Sequence, residues 1–179
     1  MKVIVTYASK YGHAKTYARW IAEELDCEFV DISMTTSEKL QEYDVIIHGG
    51  GIYAGKISGL DQILGYYDKI SDKKLVLFSC GIADPEDPAD MDYVREILNK
   101  AFTQKMKENI RFFHIRGGID YKELKFVHRA MMSMLKKMLI KKGIEHLTDT
   151  DKQILETYGD KLDFTDKSYI EQIVDYVRE

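Results

Sequence analysis

The chain has 179 residues, 45% of them hydrophobic and 31% charged, the balance of an ordinary globular protein of one domain that buries a core without covalent staples. Two cysteines, Cys27 and Cys80, with no CxxC pair exclude a secreted disulfide scaffold, and a net charge of −4 disfavours indiscriminate nucleic-acid binding. No run approaches the ~20 apolar residues of a membrane helix, and the N-terminal apolar run is too short for a signal peptide, so a cytoplasmic location is expected.

The first predicted element is KVIVTY, an apolar β-branched strand. It ends at ASKYGHAK and leads into TYARWIAEEL, where Tyr17, Ala18, Trp20, Ile21 and Leu25 fall at helical spacing and Glu23 and Glu24 face out. CEFVDI is a second strand, and DVIIHGGG a third that runs straight into glycines. LDQILGYYDKI reads as helical and KLVLFSCG as a fourth strand. DMDYVREILNKAFTQKMKEN reads as one long helix with Asp residues near its start, where they suit the helix dipole. IRFFHIRGG is a fifth strand. Strands alternating with helices predict an α/β fold with a doubly wound parallel sheet, covered on both faces, whose ligand sites lie outside the carboxyl ends of the strands.

Beyond the fifth strand the pattern predicts a long basic helix over roughly 121–142, a polar connector and a last helix, DKSYIEQIVDYVRE. This piece, at about 118–165, is read as an insertion in a single domain spanning 1–179. Residues 122–142 carry Lys122, Lys125, Arg129, Lys136, Lys137, Lys141 and Lys142 against one acid, Glu123. The segment is net +6 and leaves the rest of the chain at −10. Leu124, Val127, Met131, Met134, Leu135 and Met138 form an apolar stripe between these cations. Three roles suit it: packing on the sheet domain, a lid over a flat apolar substrate, or docking on an anionic membrane surface.

Three strand-to-helix junctions carry candidate chemistry. The first, Tyr7 to Lys15, leads into a helix N-terminus, where unpaired N–H groups and the dipole suit a phosphate. Ser9 can hydrogen-bond and Gly12 permits a tight wrap, although the same residues would serve as a plain cap and turn. The loop matches neither GxxxxGK[ST] nor GxGxxG. The third junction, His48 to Lys56, holds consecutive glycines that let a backbone approach a flat ligand and Tyr53, which can stack on an aromatic ring; the alternative is a flexible loop with a half-buried Tyr. His48 reads as a core or strand-end histidine. The fourth junction is stiffened by Pro85 and Pro88, and Cys80 there reads as a small packed thiol, since no histidine lies beside it in sequence to activate it.

Taken together, these loops resemble those of the flavodoxin family. VTYASKYGHAKTYARWIA is similar to that family's phosphate loop, with Ser9, Gly12 and His13 at matching positions. Ala14 stands where the family usually has Thr, and Lys10 and Tyr11 replace further hydroxyl residues, Lys10 adding charge. GGGIYAG and SCGIADP resemble the two loops that sandwich the flavin ring. The resemblance covers about residues 1–116. It implies strand order 2-1-3-4-5, FMN as cofactor, and cofactor contacts at Ser9, Lys10, Tyr11, Gly12, His13 and Ala14, at Gly50, Gly51, Ile52, Tyr53, Ala54 and Gly55, and at Ser79, Cys80, Gly81 and Ile82.

The C-terminal third, with FHIRGGIDYKELKFVHRAMMSMLKKMLIKKG, HLTDTDK and LDFTDKSYIEQIVDYV, resembles the flavodoxin-type, quinone-dependent protoporphyrinogen oxidases, with a longer connector, QILETYGDKL. That resemblance implies an FMN oxidoreductase that takes electrons from a tetrapyrrole and passes them to a quinone. The flavin carries the chemistry with no obligatory side-chain base, and Arg129, Met131 and Met134 meet the substrate or partner. Peripheral membrane contact through 121–142 goes with it. The alternative is a flavodoxin-like carrier moving electrons between protein partners. A phospho-receiver is set aside because the first strand ends in TYAS without paired acids, and NAD binding for want of the glycine fingerprint.

Overall fold

A computed structural model describes residues 1–179. The chain runs β1 (Val3–Ala8), α1 (His13–Leu25), β2 (Glu28–Asp31), α2 (Ser37–Leu40), β3 (Val45–Tyr53), β4 (Lys56–Ile57), α3 (Leu60–Gly65), α4 (Tyr67–Ile70), β5 (Lys74–Gly81), α5 (Pro88–Ala101), α6 (Gln104–Asn109) and β6 (Ile110–Arg116). Then follow β7 (Gly118–Asp120), α7 (Phe126–Lys142), α8 (Asp149–Glu156), β8 (Lys161–Asp163) and α9 (Glu171–Arg178).

The sheet is ordered β2-β1-β3-β5-β6 with every neighbour parallel, the 2-1-3-4-5 order of the five main strands. Alternation along each strand sorts the core into two layers. Val3, Val5, Ile47, Val76, Phe78 and Ile115 meet Tyr17, Ala18 and Ile21 of α1 and Ile173, Val174 and Val177 of α9. Ile4, Ile46, Leu75 and Leu77 meet Leu60, Ile63 and Ile70 of α3 and α4 and Ile97 of α5 on the opposite face. The central strands β1, β3 and β5 are covered on both faces and read as near-continuous apolar runs, while the edge strand β2 stays partly exposed.

Several boundaries differ from the periodicity. The expected helix over 90–109 breaks at Phe102 and Thr103, because Thr103 starts a new helix by accepting from the Met106 N–H at 3.3 Å. β4 is a two-residue return strand on the end of β3, turned by Ala54 and Gly55 at φ 52° and 74°. The long helix starts at Phe126, not near 121. The expected polar connector folds: α8 opens with a capping box between Thr148 and Asp151, and β8 pairs antiparallel with β7. Leu139, Leu147, Ile154 and Leu162 form a third, small core that joins α7, α8 and β8.

Candidate functional site

The carboxyl ends of β1, β3 and β5 face one cavity. α1 begins there with Gly12 as its cap, no side-chain hydrogen bond on the cap and no acidic residue in its first turn. The N–H groups of His13, Ala14 and Lys15 take no hydrogen-bond partner within the chain, while those of Lys10 and Tyr11 point at the Tyr53 hydroxyl. Three open donors and an uncompensated positive helix end make an anion cradle. Ser9 Oγ accepts from the Gly12 N–H at 3.0 Å, so its hydroxyl shapes the turn. Lys10 stands at the rim with Nζ 5.1 Å from the Tyr53 ring centroid, and its N–H donates to the Tyr53 hydroxyl at 3.4 Å.

His13 lines the cavity at the helix start, where its Nδ1 lies 2.9 Å from Thr165 Oγ1 and 3.9 Å from Asp163. Burial holds its pKa below 6.5, with Lys161 adding to the effect and Asp163 opposing it. The phosphate loop is thereby tied to the chain just after β8.

The glycines at the end of β3 have different tasks. A Cβ on Gly50 would stand 2.3 Å from the main-chain oxygen of Ser58, so its bareness lets the return strand pass; Gly50 faces away from the cavity. Gly51 does line it, and a Cβ there would meet the Tyr53 ring at 2.7 Å. Ile52, Tyr53 and Ala54 complete that wall, while Gly55 serves the turn outside it. Burial raises the Tyr53 pKa, so its hydroxyl stays protonated.

On the third wall stand Cys80, Gly81 and Ile82. Ser79 is fully buried beneath them, 2.6 Å from His114 Nδ1, and serves the sheet interior. Burial drives the Cys80 thiol pKa upward, which fits a packed thiol rather than a nucleophile. His48 is likewise internal, 2.9 Å from Thr6 Oγ1 and 3.2 Å from the Ser58 carbonyl.

The roof comes from the elaboration. Gly118, Ile119 and Asp120 of β7, and Leu124, His128, Met131 and Met132, close the cavity opposite the sheet ends. The stripe expected on α7 splits. Leu124, Met132, Leu135 and Leu139 turn inward with His128, while Val127, Met134 and Met138 are 64%, 65% and 62% exposed. The inward arc is rotated toward 128, 132, 135 and 139 because α7 packs on α8 and β8 as well as on the sheet domain. Arg129 and Met134 stand outside the cavity: the Arg129 guanidinium bonds the carbonyls of Tyr121 and Leu124, each at 3.4 Å. Sequence reasoning passed over His128, although an imidazole four residues after Leu124 and four before Met132 interrupts an apolar arc and is itself a signal.

A doubly wound parallel sheet whose switch point carries an anion cradle and an apolar slot defines a nucleotide-cofactor-binding α/β protein. The family model for the flavodoxin domain matches residues 4–145, and the chain belongs to that family. It is 29% identical over 120 residues to an uncharacterized protein of Methanocaldococcus jannaschii, covering 65% of this chain and 72% of that one. Among solved structures it is similar to a flavodoxin from the domain Archaea (16% identity, all of both chains, TM-score 0.44). It is also similar to oxidised flavodoxin 1 of Bacillus cereus (22% identity, 65% and 84% of the two chains, TM-score 0.44). The cofactor of this chain is FMN, and the residues fit it: open N–H groups of residues 13–15 for the phosphate, and Gly51 to Ala54 with Gly81 and Ile82 as walls for a flat ring. No helix is long and apolar enough to cross a membrane.

Proposed function

We propose that this chain is an FMN-dependent oxidoreductase with a substrate chamber of its own, acting on a flat, electron-rich molecule such as protoporphyrinogen and delivering the electrons to a quinone. The observation that carries this reading is the roof. Leu124, Met131 and Met132 lay an apolar ceiling over the slot between the loops after β3 and β5, and a protein that only exchanges electrons with other proteins needs no ceiling. When bound, FMN supplies the electron transfer; the chain binds its phosphate, orients the ring and excludes water.

The outer side of α7 supports the quinone half. Phe126, Val127, Met134, Met138, Ile140 and Ile144 are all more than half exposed, and Lys122, Lys125, Lys137 and Lys141 beside them form no ion pair. Apolar side chains among unpaired lysines suit the surface of an anionic membrane, where quinones dissolve. The same patch favours the second reading, an electron carrier that docks an acidic redox protein.

Anaerobic mixing of the FMN-loaded protein with protoporphyrinogen, following the flavin absorbance, separates the two. Bleaching that a menaquinone analogue reverses is the expected result. A flavin that stays oxidised with this substrate, yet accumulates a one-electron state on stepwise chemical reduction, would replace the oxidase with the carrier.

A further inference from the structure

Two imidazoles in this chain share one arrangement. His48 Nδ1 faces the Thr6 hydroxyl at 2.9 Å and its Nε2 the Ser58 carbonyl at 3.2 Å. His114 Nδ1 faces the Ser79 hydroxyl at 2.6 Å and its Nε2 the Ala83 carbonyl at 3.2 Å. In both, the hydroxyl donates to Nδ1 and the Nε2–H donates to a carbonyl oxygen, which fixes the neutral tautomer. His128 has the first half of this arrangement and lacks the second. Its Nδ1 is hydrogen-bonded to the Tyr11 hydroxyl. That hydroxyl also accepts from the Lys125 N–H at 3.3 Å, and we assign its own proton to Nδ1, as at His48 and His114, which puts the ring proton on Nε2. The Nε2–H has no acceptor within the chain.

The ring is held firmly for a residue at a cavity mouth. It stacks on Tyr53 with centroids 5.7 Å apart and planes 9° from parallel, and Tyr11 meets it edge-on at 5.6 Å. Partial burial lowers its pKa, and Lys10 from the phosphate loop and Lys125 at the start of α7 act in the same direction, favouring the neutral ring. The rest of the α7 wall is Leu124, Met131 and Met132, so His128 is the one N–H donor that wall offers.

We propose that His128 is the specificity-determining residue of the chamber, its Nε2–H donating to a carbonyl oxygen of a flat quinone-class acceptor. The inference rests on the oxidoreductase reading above. A planar acceptor lying between the α7 wall and the flavin loops buries its apolar faces against Leu124, Met131 and Met132. It presents one oxygen to the imidazole, completing the hydrogen-bond pattern that His48 and His114 complete internally. A ligand without that oxygen would leave the N–H unpaired in an apolar wall, which is a basis for discrimination.

The test uses FMN-loaded protein and menadione as the probe. His128→Phe keeps a ring against Tyr53 and removes the donor, whereas His128→Gln places an amide N–H close to the position of Nε2. The expected outcome is a rise of about tenfold in the menadione KM for His128→Phe, most of it recovered by His128→Gln, with the FMN dissociation constant unchanged in both. In ¹⁵N spectra of the oxidised protein, His128 should be protonated at Nε2 alone, and that resonance should move on adding menadione. Equal KM values for wild type and His128→Phe, or equal losses in the two variants, would overturn the donor role and leave packing alone. If the wild type reduces no quinone, the oxidoreductase reading fails on its own account. The menadione titration still decides the inference, because an Nε2–H resonance that stays in place refutes it.

Discussion

The hydroxyl of Tyr17, buried in α1, donates to the main-chain carbonyl of Arg116 at the end of β6 at 2.6 Å and accepts from the Asp166 N–H at 3.0 Å. One side chain thus clamps the phosphate-loop helix to the last strand and to the segment that follows β8. Burial raises its pKa, so the O–H remains a donor across the physiological range. Tyr17→Phe conserves shape and leaves the buried Arg116 carbonyl and the Asp166 N–H without their partner. A loss of about 1–3 kcal/mol is expected in urea unfolding. A change within a few tenths of a kcal/mol would show that water replaces the hydroxyl and that the clamp contributes little.

Gly50 and Gly51 are adjacent in sequence and should fail differently. Gly50→Ala drives a methyl group into the Ser58 backbone, which cannot rotate away, so a thermal destabilisation of about 3 kcal/mol is expected. Gly51→Ala meets only the Tyr53 ring, a side chain that can swing. Stability should hold within about 1 kcal/mol while FMN affinity drops roughly tenfold, read by quenching of flavin fluorescence. The reverse pattern would mean that the cavity-facing glycine is the structural one.

Much of the fold was legible because fully covered parallel strands advertise themselves. KVIVTY, DVIIHGGG and KLVLFSCG are apolar on both faces, and each runs into a loop with an unmistakable composition. The cavity walls from Tyr11 to Ala14, from Gly51 to Ala54 and from Cys80 to Ile82 follow directly, since parallel strands deliver all their carboxyl ends to one edge. The elaboration was harder. β7 and β8 are three residues each, too short for a period of two to emerge, and they pair across some 40 residues of intervening chain. The inward arc of α7 was misplaced because both arcs are apolar. Val127, Met134 and Met138 are as hydrophobic as the residues that pack, and only the tertiary contacts with α8 and β8 choose between them. Gly50 and Ser79 sit within the expected site loops by number yet point to the sheet interior, a distinction of side-chain direction that composition does not carry.

Acid should weaken the fold through two internal imidazoles. Burial depresses His48 to a pKa of about 4, against Ser58 and Asp31, which favour its charged form. His114 also falls to about 4 through burial, with Ala83, Asp90 and Asp84 opposing and Arg116 assisting. Both folded values lie below the unfolded one of about 6.5, so the unfolded chain takes up protons first as pH drops. Stability is therefore full above pH about 6.5 and declines toward pH about 4, by roughly 3 kcal/mol for each imidazole. Urea midpoints measured across that window should fall, and His114→Gln, which is uncharged throughout, should flatten the slope by about half. A slope unchanged by that substitution would assign the acid sensitivity to other groups.

One buried arginine helps to hold the roof over the cavity. Arg116 is 9% exposed. Its guanidinium lies 3.4 Å from the Phe164 ring centroid, 3.2 Å from Asp84, 3.3 Å from the Ile82 carbonyl and 3.3 Å from Thr150 Oγ1. It therefore joins the end of β6 to the β5–α5 loop, to α8 and to the residue after β8, and its planar shape makes stacking and forked hydrogen bonding possible together. A lysine has one point charge and no plane. Arg116→Lys should lower stability by about 2 kcal/mol and should loosen the elaboration first. Hydrogen exchange ought to rise in the β7–β8 hairpin and in α8 while β1 and β3 keep their protection, because those central strands draw on cores that the Arg116 guanidinium does not touch. Uniformly faster exchange across the sheet would instead make Arg116 part of one cooperative unit with it, and unchanged exchange in the hairpin would mean that the small core around Leu139, Leu147, Ile154 and Leu162 holds the roof alone.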